Sequence, residues 1–367
     1  GTGRSALMDC PLQEDQELEG APKAAVETAV ARCLAQLPHD PRWFTTDVAV
    51  DDLERVRQAL KITRWNIYGI SYGTRVALHY LSRFPDTTRA VILDGVVARD
   101  RVLGPDIALR SQETLERILA RCESDPACAR AFPEISKAPQ ALVTRLSEKA
   151  EVVRVPSPTT GRVEERELTL DGFRGVLRLL AYRAESQALI PALLHEARAR
   201  DNFVPLAAQA EWVAAELGED LAFGMHNAVI CSEDAPQFPD AKPQGLDGTY
   251  LGAGQYEYLR QACSFWPVGP VHERFREPVR SEVPVMLLSG ELDPITPPQD
   301  ASRTARTLAN SIHLIAPGQG HGVAGSGCIP GLIAEFLDAE RPQTIDTGCA
   351  QRLAPLPFAI ELNGPLP

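Results

Sequence analysis

The 367-residue sequence lacks several motifs that would reveal a function directly. It has no P-loop, no H-E-x-x-H pair and no repeated C-x-x-C spacing, so no metal, nucleotide or other cofactor site is indicated. No uninterrupted apolar run approaches the roughly 18 residues of a membrane span, which predicts a soluble protein. Basic residues are not in excess either, and a net charge of -12 disfavours nucleic acid as a partner.

The first residues also lack the features of a chain start. The opening "GTGRSALMDC" has neither an initiator Met nor a charged segment followed by an apolar one. "GTGRS" could pass for part of a phosphate-binding glycine loop, but it has no preceding strand here and no G-K-[ST] ending. We therefore expect that residues preceding this sequence have been removed or left out.

The eight cysteines are even in number, and their positions form four pairs of neighbours along the chain. The segment "CESDPAC" fits a small disulfide loop, because Asp125 and Pro126 turn the chain back. Disulfides would place the protein in an oxidising compartment, the bacterial periplasm or the extracellular space. The alternative is a cytosolic protein with buried free thiols, since cysteine is commonly buried without forming a bridge.

The chain divides into three regions that differ in composition and in the periodicity of their apolar residues. Within 40–98 and 282–340, short apolar or β-branched runs alternate with helical patterns, as in β-α units around a parallel sheet. The stretch between them is rich in Ala, Leu, Arg and Glu with helical periodicity. We predict an α/β core formed by 1–98 and 281–367, with a mainly helical cap inserted at 99–280.

The segment "WNIYGISYGTRVALHYL" carries the first sign of chemistry. A predicted strand runs into the G-x-S-x-G turn around Ser71, and a predicted helix follows at once. Such a nucleophile elbow exposes the serine hydroxyl beside the positive end of the helix. The backbone N–H of Tyr72, the next residue, is then placed to stabilise an oxyanion.

A serine hydroxyl needs an imidazole to take its proton and a carboxylate to orient that imidazole. Both side chains follow later, each in a loop after a predicted strand: Asp293 after "VPVMLLSG" and His321 in "GQGHG" after "SIHLIAP". Their order along the chain, Ser then acid then His, is the one this type of fold requires. Ser71, Asp293 and His321 are the predicted catalytic residues.

Other residues compete for the acid and base roles. Asp293 precedes Pro294 and could simply shape a turn, while Glu291 and Asp94 are rival carboxylates after predicted strands. The sequence also offers six further histidines: His39, His79, His195, His226, His272 and His313. His321 is preferred among the seven because it alone follows a strand within a glycine-flanked loop.

These segments together resemble the α/β-hydrolase superfamily, and within it the secreted bacterial tripeptidyl and prolyl aminopeptidases. "ISYGTRVALHYLSRFP" and "AVILDGVV" are similar to that family's segment around the nucleophile. "LLSGELDPITPP" and "APGQGHG" are similar to its acid and base loops, and "AVICSED" and "ACSFWPVG" resemble it too. The implied fold is the α/β-hydrolase fold, a mostly parallel sheet flanked by helices, with an inserted cap.

The resemblance carries further expectations for particular residues. It implies the triad of Ser71, Asp293 and His321, and it suggests Glu233 and Asp234, in "CSED", as cap acids that hold a free α-amino group. The alternative for this acidic pair is a solvated turn. The resemblance also implies four local disulfides in sequential pairing: Cys10 with Cys33, Cys122 with Cys128, Cys231 with Cys263, and Cys328 with Cys349.

One departure from the family concerns the beginning of the sequence. In the family, "GTGRS" completes a segment after the fourth sheet strand, so the early strands and a second oxyanion-hole loop are absent from this chain. Loss of one such donor costs about two to three orders of magnitude in rate. We therefore expect association with the missing N-terminal part, either as a separate processed chain or as residues outside this sequence.

The predicted function is acyl transfer to water through an acyl-enzyme on Ser71, most simply on peptides with a free N-terminus. One alternative keeps this mechanism with an ester, amide or lactone substrate, since one fold hosts many substrates. Another is a hydrolase-like protein that only binds a partner, although such a protein has no reason to retain all three loops. The expected location is the periplasm or the extracellular space.

Overall fold

A computed structural model describes residues 7–10, 19–157, 160–220, 222–339 and 342–360. The "GTGRS" segment lies outside the described residues. The chain divides into two compact units, the first formed by 1–107, 222–243 and 254–354, and the second by 108–221, 244–253 and 355–367.

The described helices and strands follow in chain order. The first group is α1 (Lys23–Gln36), α2 (Thr46–Ala59), β1 (Trp65–Ile70), α3 (Tyr72–Arg83) and β2 (Thr88–Asp94). The middle group is α4 (Ile107–Ser124), α5 (Pro126–Ala131), α6 (Ala138–Glu148), β3 (Glu151–Pro156), β4 (Val163–Leu168), α7 (Leu170–Leu180), α8 (Ala184–Gln187), α9 (Ile190–Ala199) and α10 (Val204–Asp220). The last group is α11 (Phe223–Glu233), α12 (Gly254–Cys263), β5 (Val285–Gly290), α13 (Pro298–Ala305), β6 (Ser311–Ala316) and α14 (Ile329–Asp338).

The first unit contains a four-stranded sheet in the order β1-β2-β5-β6, with every neighbouring pair parallel. The two central strands, β2 and β5, are buried along nearly their whole length, so their alternating side chains pack on both faces of the sheet. Val91 and Leu93 of β2 pack in one apolar cluster with Leu78 of α3, whereas Ile92 packs in the other with Phe336 of α14. These are the α/β units that the sequence predicts.

Four disulfides are present, in the sequential pairing that the family resemblance implies. Cys10–Cys33 and Cys231–Cys263 share one apolar cluster with Val26 and Trp266 in the first unit. Disulfides of this kind stabilise a fold mainly by restricting the unfolded chain.

The second unit, which contains most of the middle helices, spans fewer residues than the cap predicted at 99–280. The disulfide cluster explains part of the difference, because it ties α11 and α12 to α1 within the first unit. Strands β3 and β4 form an antiparallel hairpin in a stretch that the sequence predicts to be mainly helical. In the described part of the chain, every helix is too short or too polar to cross a membrane.

Candidate active site

The three predicted catalytic residues follow three strands of the same parallel sheet, in which β5 and β6 are neighbours and β2 lies between β1 and β5. Ser71 comes directly after β1, Asp293 lies in the loop after β5, and His321 lies in the loop after β6. In an open parallel sheet, loops at the carboxyl ends of the strands lie along one edge, where ligands usually bind. Because all four strands are parallel, these loops lie at the same end of the sheet.

Ser71 occupies a strained turn between β1 and α3. Its backbone has φ 55° and ψ -124°, a conformation that is uncommon for a residue with a side chain. The turn is also crowded, since a Cβ atom at Gly69 would lie 2.3 Å from the carbonyl oxygen of Gly73. The Ser71 N–H donates to the carbonyl of Asp94, the last residue of β2, at 2.9 Å.

Thr74 fixes the turn from the helix side. Its hydroxyl donates to the carbonyl oxygen of Ser71 at 2.6 Å and accepts the N–H of Val97 at 2.9 Å. The strained conformation of Ser71 is therefore held by hydrogen bonds from two directions, which is typical of a functional turn rather than of a surface turn.

His321 and Asp293 form a hydrogen-bonded pair. Nδ1 of His321 lies 2.7 Å from Oδ2 of Asp293, and the carboxylate is fully buried. Because Nδ1 carries the proton shared with this carboxylate, the lone pair of the neutral ring is on Nε2. Such an imidazole is oriented to accept a proton at Nε2.

The loop after β5 holds the Asp293 carboxylate ready for this bond. Oδ1 accepts the backbone N–H groups of Ile295 and Thr296 at 2.9 and 2.8 Å, and the Thr296 hydroxyl donates to Oδ2 at 2.7 Å. Burial alone would raise the pKa of Asp293, but His321 and these N–H donors outweigh it and hold the pKa below its usual value. Asp293 is therefore an anion beside the imidazole.

Glycine packs directly against this imidazole. Gly95 has φ +65°, and a Cβ atom there would lie 2.9 Å from Cε1 and 3.1 Å from Nδ1 of His321. Gly290, at the end of β5, has no room for a side chain, since a Cβ atom would meet the carbonyl oxygen of Gly320 at 1.8 Å. Both glycines allow the loop that carries His321 to pass close to the strand ends.

The two rival carboxylates accept backbone N–H groups of the loop around His321. Oδ1 and Oδ2 of Asp94 lie 2.9 and 3.0 Å from the N–H of Val323, and Oδ2 lies 2.9 Å from that of Ala324. The Glu291 carboxylate accepts the N–H of Gly318 at 3.0 Å. Both carboxylates thus brace this loop.

Another histidine has a carboxylate partner elsewhere in the first unit. Nε2 of His79 lies 2.5 Å from Oδ1 of Asp47, and Nδ1 lies 3.2 Å from the guanidinium of Arg99. Burial lowers the pKa of His79 despite this carboxylate. A neutral ring that donates from Nε2 and accepts at Nδ1 satisfies both bonds, which is a packing role.

The structure corrects the expected setting of Glu233 and Asp234, which lie in the first unit and not in the helical one. They lie at the end of α11 and are buried, with 3% and 0% of their surface exposed, rather than in an open loop. Arg75 binds the Asp234 carboxylate through both terminal nitrogens, at 2.6 and 3.0 Å. The N–H of Leu103 also donates to it at 2.9 Å.

Tyr72 is the first residue of α3, so its N–H belongs to the helical turn whose N–H groups have no acceptor within the helix. This is the position expected of an oxyanion donor. Its phenol oxygen lies 2.8 Å from the hydroxyl of Thr46, and burial raises the pKa of the phenol above its usual value.

Sequence reasoning missed the residues that support the predicted site. Thr296 follows Asp293 at a spacing typical of a turn in which an aspartate accepts N–H groups two and three residues ahead, a signal that "DPIT" does contain. The contacts of Gly95 and Asp94 with the His321 loop join positions more than 200 residues apart. No local pattern could have revealed them.

Comparisons with known proteins support the same fold. A family model described as "alpha/beta hydrolase fold" matches residues 33–130, and one described as "TAP-like protein" matches residues 249–349. The serine protease Hip1 of Mycobacterium tuberculosis is 25% identical over 351 residues, which cover 89% of this chain and 66% of that protein.

Two further relatives match shorter segments. A tripeptidyl aminopeptidase of Streptomyces lividans is 32% identical over 123 residues, 28% of this chain and 22% of that protein. A proline iminopeptidase of Xylella fastidiosa is 42% identical over 52 residues, 14% of this chain and 17% of that protein. The chain thus spans less than two thirds of the length of each. We conclude that it has the α/β-hydrolase fold and resembles the TAP-like proteins of that superfamily.

Proposed function

We propose that the protein is a serine hydrolase in which Ser71 is the nucleophile, His321 the general base and Asp293 the residue that orients His321. The observation that carries the proposal is the 2.7 Å bond between His321 and the buried Asp293, in loops of the same parallel sheet whose strand β1 ends in the strained turn of Ser71. Sequence order, strand position and local strain all support the same assignment.

In the first step, the Ser71 oxygen bonds to a substrate carbonyl carbon while its proton moves to Nε2 of His321. Asp293 stabilises the imidazolium that forms, and the Tyr72 N–H donates to the developing oxyanion. The imidazolium then gives its proton to the leaving amine or alcohol as the bond to the carbonyl carbon breaks. Water repeats the sequence on the acyl-enzyme, releasing the acid and restoring Ser71.

We propose peptides with a free N-terminus as the substrate. One relative is named a tripeptidyl aminopeptidase, another a proline iminopeptidase and a third a serine protease. A net charge of -12 also suits a cationic amino group, because the field of an acidic protein attracts cations. The contact residue for that amine stays unassigned, since the carboxylates of Glu233 and Asp234 already have partners inside the protein.

Paired substrates test this proposal. The purified protein is offered an aminoacyl arylamide and the same compound with an acetylated amine, and kcat/KM is measured for both. We expect at least about tenfold faster hydrolysis of the free amine, the effect of one charge-assisted contact. Equal rates would overturn the free-amine proposal and favour a general amidase or esterase.

We also propose that a polypeptide segment from outside these 367 residues pairs with the outer edge of β1. In the described part of the chain, β1 has a strand partner on one side only, and Tyr68 and Ile70 are 51% and 44% exposed. Open edges of this kind readily add a strand. Intact mass and N-terminal sequencing of native material should detect the segment, and a folded, active species of this chain alone would exclude it.

The four disulfides support a further proposal, that the protein resides in the periplasm or outside the cell. Fractionation of the source cells with detection by antibody tests it directly. Recovery of the oxidised protein from the cytosol would contradict it.

A further inference from the structure

A buried hydrogen-bond chain links Glu233 to Tyr72 through Thr46. Oε1 of Glu233 accepts the Thr46 N–H at 2.6 Å, and Oε2 accepts the Thr46 hydroxyl at 3.0 Å. The same hydroxyl lies 2.8 Å from the phenol oxygen of Tyr72. Thr46 has no exposed surface, so the central member of this hydrogen-bond chain is shielded from water.

The donor and acceptor in each bond of this hydrogen-bond chain follow from counting protons. The Thr46 hydroxyl has one proton, which it donates to ionised Glu233. The Tyr72 hydroxyl must then be the donor in its bond with Thr46, since no proton remains on the Thr46 side. An ionised Glu233 therefore anchors the Tyr72 phenol through a fixed sequence of donors.

A neutral Glu233 can reverse this sequence. Its own proton would go to the Thr46 oxygen, Thr46 would donate to the Tyr72 oxygen, and the Tyr72 proton would lose its acceptor. Burial raises the pKa of Glu233 to about 7, partly offset by the nearby Arg75 and by the bonds from Thr46. Both directions are thus accessible near neutral pH.

The charged groups around Glu233 bind other partners more closely than they bind its carboxylate. Nη1 of Arg75 lies 3.5 Å from Oε2 of Glu233 but 2.6 Å from the carboxylate of Asp234. Arg276 donates to the backbone carbonyl of Glu233, not to its carboxylate, and lies 3.3 Å from Asp234. Asp234 itself is the adjacent negative charge. The shortest bonds of the Glu233 carboxylate are those from Thr46.

We propose that Glu233 is a positioning residue that acts through Thr46 on Tyr72, the residue whose backbone N–H is the oxyanion donor. The inference rests on the proposed serine-hydrolase function. An anchored phenol fixes the side chain of the residue directly after the nucleophile. A small displacement of that N–H from the oxyanion lowers kcat, because such donors act only at short range.

The test variant is Glu233→Gln, which keeps the shape of the side chain. The Gln carbonyl can accept the Thr46 N–H, but its NH₂ group can only donate to the Thr46 hydroxyl, which imposes the reversed chain. We expect kcat to fall about tenfold with little change in KM, as for an interaction made only in the transition state. Glu257→Gln, at a 44% exposed side chain, is the control and should match the wild type.

A double-mutant cycle separates positioning from general loss of structure. In Tyr72→Phe the phenol oxygen is absent, so adding Glu233→Gln to this variant should lower kcat by less than about twofold. An equal cost of Glu233→Gln with and without the phenol oxygen would overturn the inference. If Glu233→Gln fails to fold, Thr46→Val should give the same loss, and Thr46→Ser should restore kcat because it keeps the hydroxyl.

Two readouts exclude the competing roles of Glu233. A carboxylate that bound the substrate amine would raise KM for free-amine arylamides alone, whereas positioning predicts equal losses for free-amine and acetylated substrates. The acidic limb of the pH profile of kcat should also lose one ionisation near pH 7 in Glu233→Gln. An unchanged profile in the variant would contradict the inference. A wild-type protein without activity or Ser71 labelling would instead overturn the proposed function.

Discussion

The contact between Gly95 and His321 allows the predicted base to be displaced without touching it. In Gly95→Ala, the new methyl carbon would lie 2.9 Å from Cε1 of His321, 3.1 Å from its Nδ1 and 3.0 Å from Oγ1 of Thr296. Carbon contacts are favourable at about 3.5 to 4.0 Å, so the ring must retreat by about 0.5 to 1 Å. A misplacement of that size costs about a hundredfold in rate.

The same substitution also strains the backbone, and this cost needs a matched control. Alanine at φ +65° loses about 1 to 2 kcal/mol of stability relative to glycine. Gly161 has φ +70°, and nothing lies within 4 Å of the place that a methyl carbon would take there, so Gly161→Ala carries the strain without the collision. We expect both variants to lose stability from this strain in urea unfolding, and Gly95→Ala to lose more because its methyl group also collides with its neighbours.

Activity then distinguishes the two variants. Hydrolysis of an arylamide that the wild type accepts should fall about a hundredfold in kcat for Gly95→Ala and stay within about twofold for Gly161→Ala. If folded Gly95→Ala retained wild-type kcat, the position of His321 would not matter for the reaction. The assignment of His321 as the base would then be refuted.

Three further predictions concern buried charges. Asp94→Ala leaves the N–H groups of Val323 and Ala324 without their acceptor, so it should lose about 2 to 4 kcal/mol in urea unfolding, and Asp94→Asn should lose less. Arg75→Ala leaves buried Asp234 without its main partner and should cost about 3 to 5 kcal/mol, most of it recovered in the double variant Arg75→Met, Asp234→Leu. The bond from Arg57, with those from Tyr80 and Gln58, lowers the pKa of Glu54 to about 2 from an ordinary 4.5. The stabilisation that ionised Glu54 gives the folded protein is therefore present above pH 4.5 and lost as the pH falls towards 2. Glu54→Gln should flatten the dependence of unfolding free energy on pH in that window. Wild-type stability in Asp94→Ala or in Arg75→Ala, or an unchanged acid profile in Glu54→Gln, would contradict the role given to the bonds that the variant removes.

Local pattern was sufficient for the parts of the fold that are defined within a few residues. The apolar run before Ser71 and the helical period after it predicted β1 and α3, and similar runs predicted β5 and β6. The order of the loops that carry Asp293 and His321 followed from the same reasoning. These elements are short and continuous, so their apolar runs and helical periods identify them.

Long-range contacts account for what the sequence could not predict. The acids Glu233 and Asp234 look like a polar turn, but Arg75, which is 159 residues from Asp234 in sequence, draws Asp234 into the interior. The hairpin of β3 and β4 was missed because its second strand, "VEEREL", is charged and mostly exposed, so it lacks the apolar alternation of a half-buried strand. Its pairing with "EVVRVP" is visible only in three dimensions.

The central claim is that Ser71 is the nucleophile, and covalent labelling tests it most directly. The purified protein is treated with a fluorophosphonate, digested, and analysed by mass spectrometry, with Ser71→Ala and Ser289→Ala as variant and control. The account predicts one adduct, on the peptide that contains Ser71, lost in Ser71→Ala and retained in Ser289→Ala. A folded protein that takes up no label, or takes it up on another residue while Ser71→Ala is labelled equally, would contradict it.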